Sequence, residues 1–409
     1  MNEPKLRFKA DDGNQFPDWE EKKLGDITEK VVRKDANSNA DVRMISQGNG
    51  FILQSDKYSR ENAGQSLKKY TLLKRDEFAY NHGASKVKPY GVCYRLCESD
   101  EARVPYVYHT FKLIDGDSGF WNYSLNTSCM DRQLKKKVSS GARMDGLLNI
   151  GYDAYMSVDI HVPSLPEQQK IAEFLSTIDT VIEKQKETVS AWEERKKGAM
   201  QKLFSQEVRF KADDGSDFPE WEEKKIDDVA TCFAGATPST KIPEYWEEGT
   251  IQWMSSGEVN NGQIHDTEKR ISQLGFDKCS TKMVKPNSVV MALAGQGKTR
   301  GMVAITRVPL CTNQSLCAIE TNDDICDDYL YQYLQTQYNN LRLISSGDGT
   351  RGGLNLKLVG GYVVIVPCLA EQQKIADCLS SLDEVIEKQK ATLAAWEELK
   401  KGLLQQMFV

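Results

Sequence analysis

Residues 165–205 read LPEQQKIAEFLSTIDTVIEKQKETVSAWEERKKGAMQKLFS, and residues 369–409 read LAEQQKIADCLSSLDEVIEKQKATLAAWEELKKGLLQQMFV. The two stretches align without a gap and agree at 26 of 41 positions. Neither has a proline after Pro166, and both are rich in Glu, Lys, Gln, Ala and Leu, all good helix formers. Apolar residues recur with spacings of four and three. They are Ile171, Leu175, Ile178, Ile182, Val189 and Trp192 in the first copy, and Ile375, Leu379, Leu382, Ile386, Leu393 and Trp396 in the second. That is the period of a coiled-coil seam. A helix of this length, roughly 60 Å, cannot bury such a stripe alone, so each copy is expected to pack against the other. Gln185 and Gln389, like Lys196 and Lys400, interrupt the seam at equivalent places and are expected to fix its register. Gly198 and Gly402 fall inside the apolar phase, which predicts close helix contact there.

A second repeat precedes each helix by a whole domain. Residues 7–23 read RFKADDGNQFPDWEEKK and residues 209–225 read RFKADDGSDFPEWEEKK. Such self-similarity fixes the plan of the chain: a first domain over 1–163, a helix over 164–206, a second domain over 207–367 and a helix over 368–409. Equal lengths and repeated borders predict a duplication with a pseudo-twofold axis. Trp19 and Trp221 read as anchors that pack a strand onto the long helix.

Between the repeats the two sequences diverge. The first domain has β-like runs at 104–108 and 157–162 and a turn-rich loop at 80–86. The second reads as strands at 251–254, 288–292, 302–306 and 362–366, with one helix at 327–337. Both domains end alike, with Ser139-Ser140-Gly141 … Leu148-Asn149-Ile150 against Ser345-Ser346-Gly347 … Leu354-Asn355-Leu356. The fold class is therefore α+β: two mixed α/β domains separated by a pair of long antiparallel coiled-coil helices.

With those features the chain resembles the specificity subunit of type I restriction-modification enzymes over essentially its whole length. The most specific parts are the paired L-x-E-Q-Q-K-I-A-x-x-L-S helices, Gly235-Ala236-Thr237-Pro238-Ser239, Pro243-Glu244-Tyr245-Trp246 and Ile251-Gln252-Trp253-Met254. Residues 294–301, AGQGKTRG, also look like the family. The resemblance implies two target-recognition domains, each reading one half of a split site in double-stranded DNA. It implies helices that hold the domains apart and dock two modification (methyltransferase) subunits, with restriction (ATP-dependent nuclease) subunits completing the complex. S-adenosylmethionine, ATP and Mg2+ would then belong to those partners, with no cofactor in this chain.

The net charge of −6 argues against DNA contact over the whole surface, but basic residues cluster locally. In the first domain the candidates are Lys68, Lys69, Lys74, Arg75, Asn81, His82, Ser85, Lys86, Lys88 and Arg143. In the second they are Thr237, Ser239, Lys241, Lys298, Thr299, Arg300 and Arg351. Lysines supply sequence-independent attraction to phosphate, whereas Asn81 and Arg143 have the hydrogen-bonding geometry for base edges. The bland alternative for each is a solvated charged face.

Other chemistries are disfavoured by spacing. Gln296-Gly297-Lys298-Thr299 superficially resembles a phosphate-binding loop, but Ala292 stands where Gly is required and a strand, not a helix, is expected to follow. Pro17-Asp18 … Glu21-Lys22-Lys23 mimics a nuclease set, yet the gap is too short to place the acids on separate strands. The ten cysteines include no C-x-x-C pair and the four histidines lie apart from them, which argues against zinc and for reduced thiols. No Pro-Pro occurs, as an amino-methyltransferase motif would need. No apolar run reaches membrane-spanning length and residues 1–5 have no signal-peptide core, so a cytoplasmic, non-catalytic chain is expected. The competing reading is a coiled-coil scaffold joining two protein-binding modules.

Overall fold

The computed structural model describes residues 4–408 except 36–37, 58–63, 84–87, 139–147, 296–297 and 346–352. Two compact units emerge, one of Met1–Lys186 with Ala391–Val409 and one of Glu187–Lys390. Their boundaries fall inside both long helices, Leu165–Phe204 and Leu369–Met407. The division at 163, 206 and 367 thus follows the sequence repeats and not the packing. Each unit holds one domain, the first part of the helix that leaves it and the last part of the other helix.

In the first unit, strand Glu20–Lys23 pairs antiparallel with Asp159–Val162, which leads into the first helix. A four-stranded sheet follows the order Thr28–Lys30, His109–Leu113, Phe78–Asn81, Val92–Arg95, with every pair antiparallel. Alternation splits its side chains between two cores. Phe78, Tyr80 and Phe111 join Phe120, Trp121, Ile171 and Leu175 on one face, while Ala79 and Val92 join Leu73 and Val104 on the other. The β-like run at 104–108 is not one strand. Strand Glu101–Val104 ends there, Pro105 accepts a turn hydrogen bond from Tyr108 N, and His109 begins the next strand. Proline has no N–H to continue a ladder.

In the second unit, Glu222–Lys225 pairs with Val363–Val366, and the main sheet runs Ala230–Ala234, Leu316–Thr321, Val289–Ala292, Val303–Thr306, Gln263–Ile264. Its first four strands repeat the order and pairing sense of the first unit's sheet. The duplication therefore extends through domains whose sequences no longer match. Val289–Ala292 and Val303–Thr306 are buried on both faces, which is why they read as unbroken apolar runs. The expected helix appears as Asp327–Thr336, with Tyr329 and Tyr333 buried.

Both repeated motifs meet at one node in each unit. Glu167 is fully buried and accepts two bonds from the Arg7 guanidinium, at 3.0 and 2.9 Å, and one from Trp19 Nε1 at 3.1 Å. Glu371, equally buried, accepts from Arg209 at 3.1 and 2.8 Å and from Trp221 Nε1 at 2.9 Å. The neighbouring glutamine ties the helix to its own domain: Gln168 donates to Pro163 O and accepts from Asp117 N, and Gln372 donates to Pro367 O and accepts from Cys326 N. Lys170 and Lys374 reach Asp11 and Asp213 at 2.6 Å. The motif E-Q-Q-K is thus a clasp.

Each unit also shows the helices antiparallel. In the first, Ile171 and Leu175 share a core with Met407 and Phe408, and Asp179 pairs with Lys400. In the second, Lys196 pairs with Asp383 at 2.7 Å and Glu193 with Lys390 at 3.0 Å. A domain side chain completes each lysine–aspartate pair: Tyr123 donates to Asp179 at 2.6 Å, and Gln332 Nε2 donates to Asp383 at 2.7 Å. Burial, then the bond to Asp179, pushes the Tyr123 phenol upward. The lysines that interrupt the seam are therefore held by carboxylates of the facing helix.

Of the seam residues, Ile178, Ile182, Val189 and Ile386 are buried, and Trp192, Leu393 and Trp396 are half-buried. The N-terminal seam positions have a second task. Ile171 and Leu175, like Ile375, Leu379 and Leu382, also pack into the adjacent domain. Close contact at Gly198 and Gly402 is overturned, since a Cβ at either position would meet nothing within 4 Å. Among the described residues no helix is long and apolar enough to cross a membrane.

Arg209→Ala would leave Glu371 buried with only an indole N–H, so unfolding in urea should show a loss of about 3–5 kcal/mol. Arg209→Lys should recover only part, because an ammonium cannot make the two parallel bonds. All ten cysteines are free thiols; Cys97 is exposed, and burial pushes Cys93 up to about 12 and Cys311 to about 11. A thiol reagent at neutral pH should therefore modify Cys97 in the folded chain and reach Cys93, Cys311 and Cys317 only on unfolding, as peptide mapping would show.

Candidate nucleic-acid interface

The two candidate loops occupy the same place in the two sheets. Strand Phe78–Asn81 turns back into Val92–Arg95, and Val289–Ala292 turns back into Val303–Thr306. Each turn closes on a glycine with φ of +82°, Gly91 and Gly301. Each is flanked by the repeated domain ending: Leu148 N donates to His82 O at 2.9 Å, and Leu354 N donates to Leu293 O at 2.8 Å. The hairpin and the domain-ending segment thus converge on one end of each sheet.

In the second unit that end is assembled from segments beside three strands. Thr237 follows strand Ala230–Ala234, Gln314 precedes Leu316–Thr321, and Lys298 lies in the turn after Val289–Ala292. Thr237 Oγ1 donates to Gln314 Oε1 at 2.6 Å. Tyr338 OH donates to Lys298 O at 2.6 Å, so helix Tyr338–Ile344 braces the turn. Thr237, Ser239, Lys241 and Lys298 are exposed and Thr299 is half-buried. Arg300 is not at an exposed tip: it is only 8% accessible, and its carbonyl accepts from Arg342. A guanidinium turned into the protein cannot meet a guanine edge in this conformation. Arg351 lies outside the described residues.

In the first unit the basic group divides. Lys68 and Lys69 are exposed, and Lys69 Nζ lies 6.0 Å from the exposed Tyr106 ring, next to the start of His109–Leu113 and so at the loop end of the sheet. Lys74 and Arg75 instead precede Phe78 at the opposite end, where Arg75 pairs with Asp100 at 2.9 Å. Asn81 Oδ1 accepts from Gly83 N, and Lys88 donates to Asn126 O. His82 is buried, with its ring nitrogens 2.7 and 2.9 Å from Leu148 O and Val107 O. It holds the domain ending in place and offers nothing to solvent. Ser85, Lys86 and Arg143 lie outside the described residues.

The sequence did not single out Gln314, which the structure places beside Thr237. The available signal was Asn313-Gln314-Ser315, a polar run between the buried strands Leu310–Thr312 and Leu316–Thr321. Among the described residues no group of three or more His, Cys, Asp or Glu is placed to hold a metal ion.

Residues 219–395 match the model of the family described as type I restriction modification DNA specificity domain. It is 31% identical over 211 residues to the specificity subunit of the type I restriction enzyme MjaIX of Methanocaldococcus jannaschii, covering 50% of this chain and 48% of that protein. It is 25% identical over 166 residues to the EcoR124I/EcoR124II specificity subunit of Escherichia coli, covering 41% of that protein. The chain thus spans about half or less of the length of these relatives. A longer match, 22% identical, joins 86% of this chain to 90% of the HindI specificity subunit of Haemophilus influenzae. The fold is shared with the crystal structure of the type I restriction-modification S subunit from M. genitalium, at a TM-score of 0.59 and 16% identity over 100% of this chain and 99% of that one. The family match spans most of the second domain and runs into the second helix, including Trp221 and Glu371 of the clasp and the Lys298 turn.

The turn glycines are required for different reasons. A side chain at Gly91 would place Cβ 2.4 Å from Asn81 O, whereas at Gly301 the nearest atom is Leu341 Cβ at 3.4 Å. Gly301→Ala should cost about 1–2 kcal/mol from the left-handed backbone alone. Gly91→Ala should cost more, as paired thermal melts would show.

Proposed function

We propose that this chain is the DNA-recognition subunit of a type I restriction-modification complex, in which each domain reads one half of a bipartite duplex site. The observation that carries the reading is the repeated architecture of the two units. Two sheets of one topology present equivalent hairpins, and the sequence diverges there while the clasp residues are repeated and the helices agree at 26 of 41 positions. Two domains that share a topology but not a sequence are what two readers of different half-sites require, and the match to a DNA specificity domain supports the same reading. The exposed lysines would supply attraction to phosphate, and neutral polar side chains the base contacts.

In this reading the chain positions and does not catalyse. The helix surfaces outside the seam dock two modification subunits, and restriction subunits assemble with them in the cytoplasm. S-adenosylmethionine binds on the modification subunits, and ATP and Mg2+ on the nuclease partners.

Replacing residues 207–367 with another recognition domain, in the chain co-expressed with its modification subunit, should change one methylated half-site and leave the other intact. Sequencing of methylated positions reads the result. Both half-sites changing together would remove the modular reading, and binding without a salt slope or sequence preference would favour a scaffold that ignores DNA.

A further inference from the structure

Thr237 and Gln314 come from segments 77 residues apart, yet their side chains are joined at 2.6 Å on an exposed surface. The backbone under them is fixed from several directions. Gly235 packs so tightly on Thr312 that a Cβ there would lie 1.9 Å from Thr312 O, and Trp253 Nε1 donates to Ala236 O at 3.0 Å. Asn313 N donates to Met254 O at 3.1 Å, Asn313 Oδ1 accepts from Ser315 N at 3.0 Å, and Ser315 O accepts from Leu293 N at 2.8 Å. The amide of Gln314 is thus presented from a rigid platform at the sheet end that also carries the Lys298 turn.

With Thr237 donating to its oxygen, Gln314 keeps both Nε2 hydrogens and the second lone pair of Oε1; among the described residues no partner takes the Nε2 hydrogens. Beside the pair, Thr281 Oγ1 donates to Thr312 O, and the next residue, Lys282, extends its Nζ to 5.4 Å from the Phe233 ring. Lys282 is exposed and no carboxylate pairs with it among the described residues. Residues 278–307 contain no acid, and Glu320, from another strand, is taken by Lys285 at 3.3 Å.

We infer that Gln314 reads a base edge in the half-site bound by the second domain, with Thr237 as the residue that positions its amide and Lys282 as the neighbouring phosphate contact. The inference rests on the DNA-recognition reading above and deepens it. A free donor beside an acceptor matches the N7 acceptor and N6 donor of adenine in the major groove. A cation alongside fixes register without adding sequence information.

The test selects bound sequences from duplex DNA with a randomised core, using the full chain co-expressed with its modification subunit. Gln314→Ala, an exposed substitution, should lower the preference at one position of one half-site by about 5- to 150-fold and leave the other half-site unchanged. Thr237→Val should blur the same position and Thr237→Ser restore it, a rescue that a merely structural role would not produce. Lys282→Ala should weaken all sequences alike and make the salt slope shallower by about one. A Gln314→Ala chain that keeps every preference of a sequence-selective parent overturns this inference and leaves the DNA reading standing. A parent chain that selects no sequence overturns both.

Discussion

A carboxylate with no exposure to solvent is costly unless it is paired and its oxygens are filled, and Glu167 and Glu371 meet that condition in one way each. The planar guanidinium of Arg7 or Arg209 supplies two parallel bonds, and the indole of Trp19 or Trp221 supplies a third. No single segment of the chain could do this. The repeated segment before each domain and the repeated start of each helix are therefore two halves of one clasp, and each half constrains the other. Gln168 and Gln372 extend it into the domain, so the helix leaves its domain at an orientation set by hydrogen bonds as well as by apolar packing.

The same logic governs the polar positions of the helix seam. Lys196 is nearly enclosed, and it is tolerated because Asp383 and Gln332 build a closed set around it; Lys400, Asp179 and Tyr123 form the equivalent, more exposed set in the other unit. A one-turn slip would separate lysine from carboxylate, leaving an unpaired charge where water is scarce. Apolar residues supply the attraction between the helices, and these pairs specify the register. Each pair also includes a side chain from the domain, so register and domain attachment are coupled.

The chain determined much of this by itself. A strict repeat of apolar spacing over 41 residues, present twice, left a long helix as the only way to bury the stripe. Buried strands such as Val289–Ala292 were legible because both faces are covered, and the tryptophan anchors because they recur beside the same acids. Tertiary structure decided what depends on partners distant in sequence. Gly198 and Gly402 fit the apolar phase yet face open space, because spacing gives the face of a helix and not the distance to its neighbour. His82 and Arg300 belong to polar, turn-rich stretches, but burial is set by the segments that fold over them. Lys74 and Asn81 are seven residues apart and stand at opposite ends of a strand, whereas Thr237 and Gln314 are far apart in the chain and share a hydrogen bond. Local periodicity carries secondary structure because it follows from the geometry of the backbone. A recognition surface is assembled by strand order, and no stretch of sequence contains that order.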